Sequence, residues 1–205
     1  MKNLFNFSII FLLLLTISCK KEKEITTNKN EVVTNYSIDT KNAVINWTAY
    51  KTTEKIPVKG VFKEVTILNK IKAQNPSEAI NGLEFEIPVA SIFSNDSIRD
   101  YKLTTFFFGV MQNTLQLKGK INAEVNGTGI VNLTMNGLTK DLPFTYEIQG
   151  ENIEINAIMD VDNWQAQTAI ESLNKVCIDK HKAADGISKT WSEVAINVQI
   201  KTKVE

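Results

Sequence analysis

The sequence predicts an all-β, antiparallel domain, and three observations carry that prediction. Apolar residues recur at every second position over most of the chain from Tyr36 onward, as strands with one buried and one solvated face require. Turn residues separate these runs at short intervals: Asn126-Gly127 near Gly129, Asn136-Gly137, and Gln149-Gly150-Glu151-Asn152. The connections are short, which favours a sandwich or a closed barrel over a parallel α/β sheet.

Taken in order, strands are expected at Ala43–Tyr50 and Val58–Leu68. Leu83-Glu84-Phe85-Glu86-Ile87 then places three apolar residues on one face and two carboxylates on the other. Val131, Leu133 and Met135 alternate with Asn132, Thr134 and Asn136, and the Gly137 that follows marks a tight hairpin. Leu142, Phe144, Tyr146 and Ile148 oppose Thr145 and Glu147. Ile153, Ile155, Ala157 and Met159 oppose Asn152, Glu154 and Asn156, and Val194, Ile196, Val198 and Ile200 close the series. About eight strands result. Two passages break the alternation and predict short helices over the ends of the sheet. One is Asn95 to Leu103, with Asn and Asp as N-cap candidates. The other is Asp162 to Asn174, where Trp164, Ala169, Ile170 and Leu173 stand at helical spacing.

With 205 residues, 43% of them apolar, and no linker-like stretch in the middle, the chain reads as one folded domain. Lys and Arg number 23, as do Asp and Glu. No field draws the chain to nucleic acid, and no clustered Arg or stacking aromatics track a phosphate backbone.

The N-terminus has its own organisation. Lys2 precedes an apolar run from Leu4 to Ile17 that ends in Leu15-Thr16-Ile17-Ser18-Cys19. The run is short for a bilayer span, which takes ~20 residues, and suits the h-region of a signal peptide. The passage resembles a lipobox, with Thr16 where Leu is usual, so Cys19 is expected to be the lipidated residue after cleavage. Residues 1–18 are then the signal peptide, and 19–35, charged and polar, a flexible tether. The expected location is the cell envelope, lipid-anchored to the outer membrane on its periplasmic side or at the cell surface. With Cys19 acylated, Cys177 has no partner for a structural disulfide.

The folded part also resembles a known family, on five blocks in order. They are Tyr36-Ser37-Ile38-Asp39 with Val44-Ile45-Asn46-Trp47; Val58-Lys59-Gly60-Val61-Phe62; Ser91-Ile92, Arg99-Asp100, Leu103 and Phe106-Phe107; Leu133-Thr134-Met135-Asn136-Gly137-Leu138-Thr139-Lys140; and Glu193-Val194-Ala195-Ile196. Together they resemble the YceI-like (polyisoprenoid-binding, lipid-binding) family, in its lipoprotein branch, over residues 36–205. Two departures stand out. Asn42 occupies the place of a usual His, and the Trp164-to-Trp191 passage is longer and more polar than is typical.

The resemblance implies a lipocalin-like antiparallel barrel with one or two short helices, enclosing an apolar interior for a polyisoprenoid or similar long-chain amphiphile. Candidate lining residues are Trp47, Phe62, Phe85, Phe107, Leu133 and Phe144, each of which plain core packing explains equally well. No cofactor is expected beyond a bound isoprenoid-type lipid. The expected partners are a hydrophobic small molecule or lipid and, through the anchor, the membrane; a homodimer is compatible with such a domain. The alternative is a structural or protein-interaction lipoprotein with a filled core.

Several constellations contain residue types that could carry chemistry. Cys177, Asp179 and His181, the only histidine, lie too close in sequence to converge on a tetrahedral metal without further ligands, and nothing marks an orienting group for a Cys–His pair. Asp160-Val161-Asp162 with Glu171 echoes a calcium loop, but Trp164 and Gln165 stand where an oxygen ligand and a Gly are needed. Arg99-Asp100 offers an anion contact, with an intramolecular ion pair or cap preferred. No enzymatic or metal site is expected.

Overall fold

The computed structural model describes residues 35–204; the expected signal peptide (1–18), Cys19 and all but the last residue of the expected tether lie outside the described residues. Ten strands form one antiparallel sheet: β1 (Tyr36–Lys51), β2 (Ile56–Phe62), β3 (Thr66–Ile67), β4 (Glu84–Pro88), β5 (Ile92–Phe93), β6 (Gln116–Ala123), β7 (Thr128–Met135), β8 (Leu138–Gln149), β9 (Asn152–Asp160) and β10 (Thr190–Val204). Their spatial order is β3-β4-β6-β7-β8-β9-β10-β1-β2-β5, and the sheet curls around one apolar core. Eight strands are long, seven of them at the runs that alternation marks and the eighth, β6, without a marked run; β3 and β5 have two residues each and form the edges.

Short edges limit pairing with other chains. They also carry the closure. Glu84–Phe93 runs as one bent segment that pairs with β6 in its first half and, past a 3-10 turn at Val89–Ser91, with β2 in its second. Residues 56–67 likewise pair first with β1 and then with β4. Both segments cross the seam where the ladder is open, and Lys63 N donates to the Ser91 carbonyl there at 3.0 Å. The run expected as one strand, Val58–Leu68, is thus two strands that serve opposite edges.

The turn chemistry works as anticipated. Asn136 and Gly137 both have positive φ, 51° and 69°, the geometry of a two-residue hairpin that follows strand twist. Three glycines face inward, and each lies under an aromatic ring of its cross-strand partner: Trp47 over Gly60, Phe85 over Gly119, Phe144 over Gly129. A Cβ at any of the three would sit closer than 3.0 Å to the ring. Small residues thus let large rings lie flat against a tightly curled sheet.

Helices gather mainly at one end of the sheet. Helix α1 (Pro76–Ile80), capped by Asn75, packs near the start of β1. At the opposite end, where β1 finishes and β10 begins, sit α2 (Ser97–Lys102), α3 (Gln167–Val176) and α4 (Ile178–His181). Asp96 caps α2 by accepting from Ile98 N and Arg99 N, and α2 continues into a π-helical turn, Leu103–Phe107. The second expected helix starts late: Val161–Trp164 is a 3-10 turn, Gln165 has φ 55°, and α3 follows. The reversal at Gln165 aims Trp164 inward. Helices α1 and α4, one turn each, had no sequence periodicity long enough to show them.

Trp164 is fully buried where β8 and β9 part. Their pairing covers only Thr145–Gln149 with Asn152–Asn156, although β8 begins at Leu138 and β9 ends at Asp160. Trp164 packs in that wedge, its Nε1 donating to the Leu133 carbonyl at 2.9 Å. Asn136 fixes it from outside through bonds to the carbonyls of Trp164 and Gln165.

Candidate functional site: an apolar cavity under a basic mouth

The inner face of the sheet leaves an apolar cavity of about 100 Å³ at the helical end, walled by Trp47, Phe62, Phe107, Met159, Trp191 and Val194 among others. Above it, and sharing Trp47, Ala49, Leu103, Leu173 and Thr190 with it, opens a space of about 460 Å³ between α2, α4 and the end of β1. The roof is aromatic. Phe108 meets Phe62 edge-on at 6.3 Å and Phe107 at 4.9 Å, in the preferred geometry of such pairs.

The cover over this space is lightly held. Neither α2 nor the π-helical turn has a fully buried residue; Leu103 and Phe107 are half-buried and Phe108 alone is buried. Segments with few buried apolar contacts open at low free energy, and π turns recur at functional positions.

The mouth is basic. Lys51, Arg99, Lys102 and Lys180 line it against one carboxylate, Asp96, which is already paired with Arg99 at 3.3 Å. Asp100, considered with Arg99 as an anion contact, instead accepts from Ser94 N at 2.8 Å and Ser94 Oγ at 2.6 Å. The Arg99-Asp100 block therefore builds the start of α2. His181 faces the same space, with Nδ1 bonded to Thr190 Oγ1 at 2.7 Å and near Asn174 Oδ1 at 3.3 Å. Burial, then the charges of Lys51 and Lys102, lower its pKa to about 4, so the ring is neutral at pH 7. Cys177 is half-buried, and burial raises its thiol pKa, which disfavours the thiolate a nucleophile needs. Among the described residues no three His, Cys, Asp or Glu side chains cluster as metal ligands.

Of the six lining candidates, Trp47, Phe62 and Phe107 wall the apolar cavity. Phe85 covers Gly119, Leu133 is buried beside the Trp164 indole, and Phe144 covers Gly129, all away from it. Asn42 lies on the exposed bulge of β1 and donates to Asp39 Oδ2 at 2.5 Å. The mouth lysines escaped the sequence reading because no local pattern links them: they come from β1, α2 and α4, which only the fold assembles. The long Trp164-to-Trp191 passage was the one available signal, since it supplies α3, α4, Cys177, Lys180 and His181.

A larger depression, about 780 Å³, lies on the outer face where β8 and β9 part. It is open, and its asparagines satisfy one another across the strands, Asn46 to Asn197 at 3.2 Å and Asn197 to Asn156 at 2.8 Å. Its asparagines are already spent on one another, so the smaller, less open space is the better candidate.

A model of the YceI-like domain matches residues 36–203. The chain belongs to the YceI-like domain family. Solved structures share its fold. One is a domain from Saccharophagus degradans, described as polyisoprenoid-binding and implicated in plant cell wall breakdown (TM-score 0.61, 10% identity, 83% of this chain and 98% of that one). Burkholderia cenocepacia BcnA aligns at TM-score 0.54 and 16% identity over 82% of this chain and 99% of its own. A YceI protein of Campylobacter jejuni aligns at 0.52 and 18% over 72% and 85%. No curated protein matches significantly. At these identities the likenesses establish the YceI-like fold.

Proposed function

We propose that this YceI-like protein is a lipid-anchored carrier of the cell envelope. In this reading Cys19 bears the anchor, the tether lets the domain reach a bilayer, and the barrel takes up the chain of a polyisoprenoid or similar amphiphile. The observation that carries the reading is the apolar cavity bounded by Trp47, Phe62 and Phe107 and joined to a mouth at the surface. The polyisoprenoid-binding description of the Saccharophagus degradans domain supports the class of ligand. The rim supports loading at a membrane: Ile98 is 69% exposed, Tyr101 61% and Ile178 50%, an apolar fringe beside lysines, as an interfacial surface presents.

Volume sets a condition on this function. At about 30 Å³ per heavy atom, the share a water molecule takes, a five-carbon isoprene unit needs about 150 Å³, more than the apolar cavity holds. A long chain therefore requires the α2–π-turn cover to lift. Uptake is driven by apolar burial at ~0.8 kcal/mol per CH₂, and no covalent chemistry is involved. The same small volume favours a second reading, an interaction lipoprotein with a filled core.

Native mass spectrometry with lipid extraction on the full-length protein separates the two. The carrier reading expects a stoichiometric, extractable long-chain prenyl compound. A clean apo mass, unchanged after incubation with polyprenyl lipids, refutes it and leaves the filled-core reading.

A further inference from the structure

Cationic donors outnumber acceptors around the mouth: Lys51, Arg99, Lys102 and Lys180 face one carboxylate, Asp96. Lys102 Nζ donates once, at 2.7 Å, to the carbonyl of Val176 at the end of α3. Lys51 Nζ donates once, at 3.2 Å, to the carbonyl of Lys180 in α4. Capping a helix end uses one of the three donors of each ammonium, and among the described residues neither lysine is in an ion pair. Trp47, 6% exposed and shared by cavity and mouth, has its Nε1 buried with no partner. A buried N–H without a partner is uncommon and costly.

Among the described residues that line the mouth, none supplies the missing negative charge. Asp96 is held by Arg99 and by the first amides of α2. His181 is neutral at pH 7 and Cys177 is held toward its thiol form. Lys51 and Lys102, both half-buried, thus stand over an apolar cavity with donors to spare. Charge beside low-dielectric space is stabilised by a counter-charge that also accepts hydrogen bonds.

We infer that the mouth is an oxyanion site, so that the amphiphile this barrel takes carries a phosphate-type headgroup seated against Lys51 and Lys102, with its chain directed past Trp47 into the cavity. This rests on the carrier reading and adds the headgroup to it. A neutral prenyl alcohol or quinone shares the tail without the charge, and a free phosphate shares the charge without the tail.

The test uses the full-length protein in mild detergent, titrated by intrinsic tryptophan fluorescence with geranylgeranyl diphosphate, geranylgeraniol and inorganic diphosphate. The expected result is that geranylgeranyl diphosphate binds at least tenfold more tightly than either of the others. In Lys51→Gln and Lys102→Gln its advantage over geranylgeraniol falls by about ten- to hundredfold, as loss of a charged hydrogen bond implies, and Lys102→Arg restores most of it. Because the readout is a ratio within each variant, a general loss of fold cancels. Equal affinity for the diphosphate and the alcohol overturns the headgroup inference and leaves the carrier reading standing. Equal affinity for inorganic diphosphate and its prenyl ester overturns it as well, since the tail then contributes nothing. Binding of neither prenyl compound ends both.

Discussion

Replacing Ala49 with Leu tests whether the small apolar cavity is space the ligand uses. Ala49 stands on the inner face of β1, two residues from Trp47, and borders both the cavity and the mouth. Leu adds three carbons, about 90 Å³ at about 30 Å³ each, against a cavity of about 100 Å³. Burying them gains about 2 kcal/mol, and ordering the longer side chain returns about 0.5–1 of that. A filled core would instead charge about 1–3 kcal/mol for overpacking. The variant is therefore expected within about 1 kcal/mol of the wild type, a Tm change of no more than about 2–4 °C for a domain of this size. Its affinity for a prenyl ligand drops about thirtyfold, because about 2 kcal/mol of tail burial is lost. Thermal melts and tryptophan-fluorescence titration with geranylgeranyl diphosphate measure the two effects on one sample. A Tm lower by 10 °C means the space is absent. A stable variant that binds as the wild type does means the ligand lies elsewhere. Either refutes the reasoning.

Trp164→Phe removes the donor to the Leu133 carbonyl and part of the packing between β8 and β9; a loss of about 2–4 kcal/mol should appear as a lower midpoint in urea. Gly129→Ala places a Cβ under the Phe144 ring and 2.6 Å from the Asn122 carbonyl; a cost of at least about 1–3 kcal/mol is expected, and a variant as stable as the wild type contradicts the ring-over-glycine account. His181 gives a pH signature. Its folded pKa, about 4, lies below the ordinary 6.5, so between these values the unfolded chain binds the proton and the folded one does not. Stability therefore falls as pH drops from 6.5 toward 4. Asp162, raised by burial and by Asp160, acts in the opposite sense, so the test is the difference between wild type and His181→Gln. The variant's Tm should fall less over that window, and parallel curves would contradict the assignment.

Alternation made seven of the eight long strands legible because each has a buried and a wet face over five residues or more. Asn136-Gly137 was legible because two successive positive φ angles favour that pair of residues. Edge strands of two residues, β3 and β5, have no period to detect, and β6 escaped because Gly119 interrupts its apolar face. The second helix was anticipated too early because Trp164 stands at roughly helical spacing from Ala169, Ile170 and Leu173, while Gln165 reverses the chain between Trp164 and the helix proper. Of the site, Trp47, Phe62 and Phe107 were nameable as apolar inward residues, but nothing local distinguished them from Phe85, Leu133 and Phe144, whose patterns are the same.

By itself the sequence determined the antiparallel all-β class, the inward face of most strands and the family, because these depend on side-chain period and on short blocks of neighbouring residues. Tertiary structure alone decided that the edges are joined by two bent segments, that Trp164 fills the wedge between β8 and β9, and that Lys51, Lys102 and Lys180 meet over one cavity. The physical reason is range. Patterning acts between residues a few positions apart, whereas a void and the charges around it arise from side chains brought together by strand order.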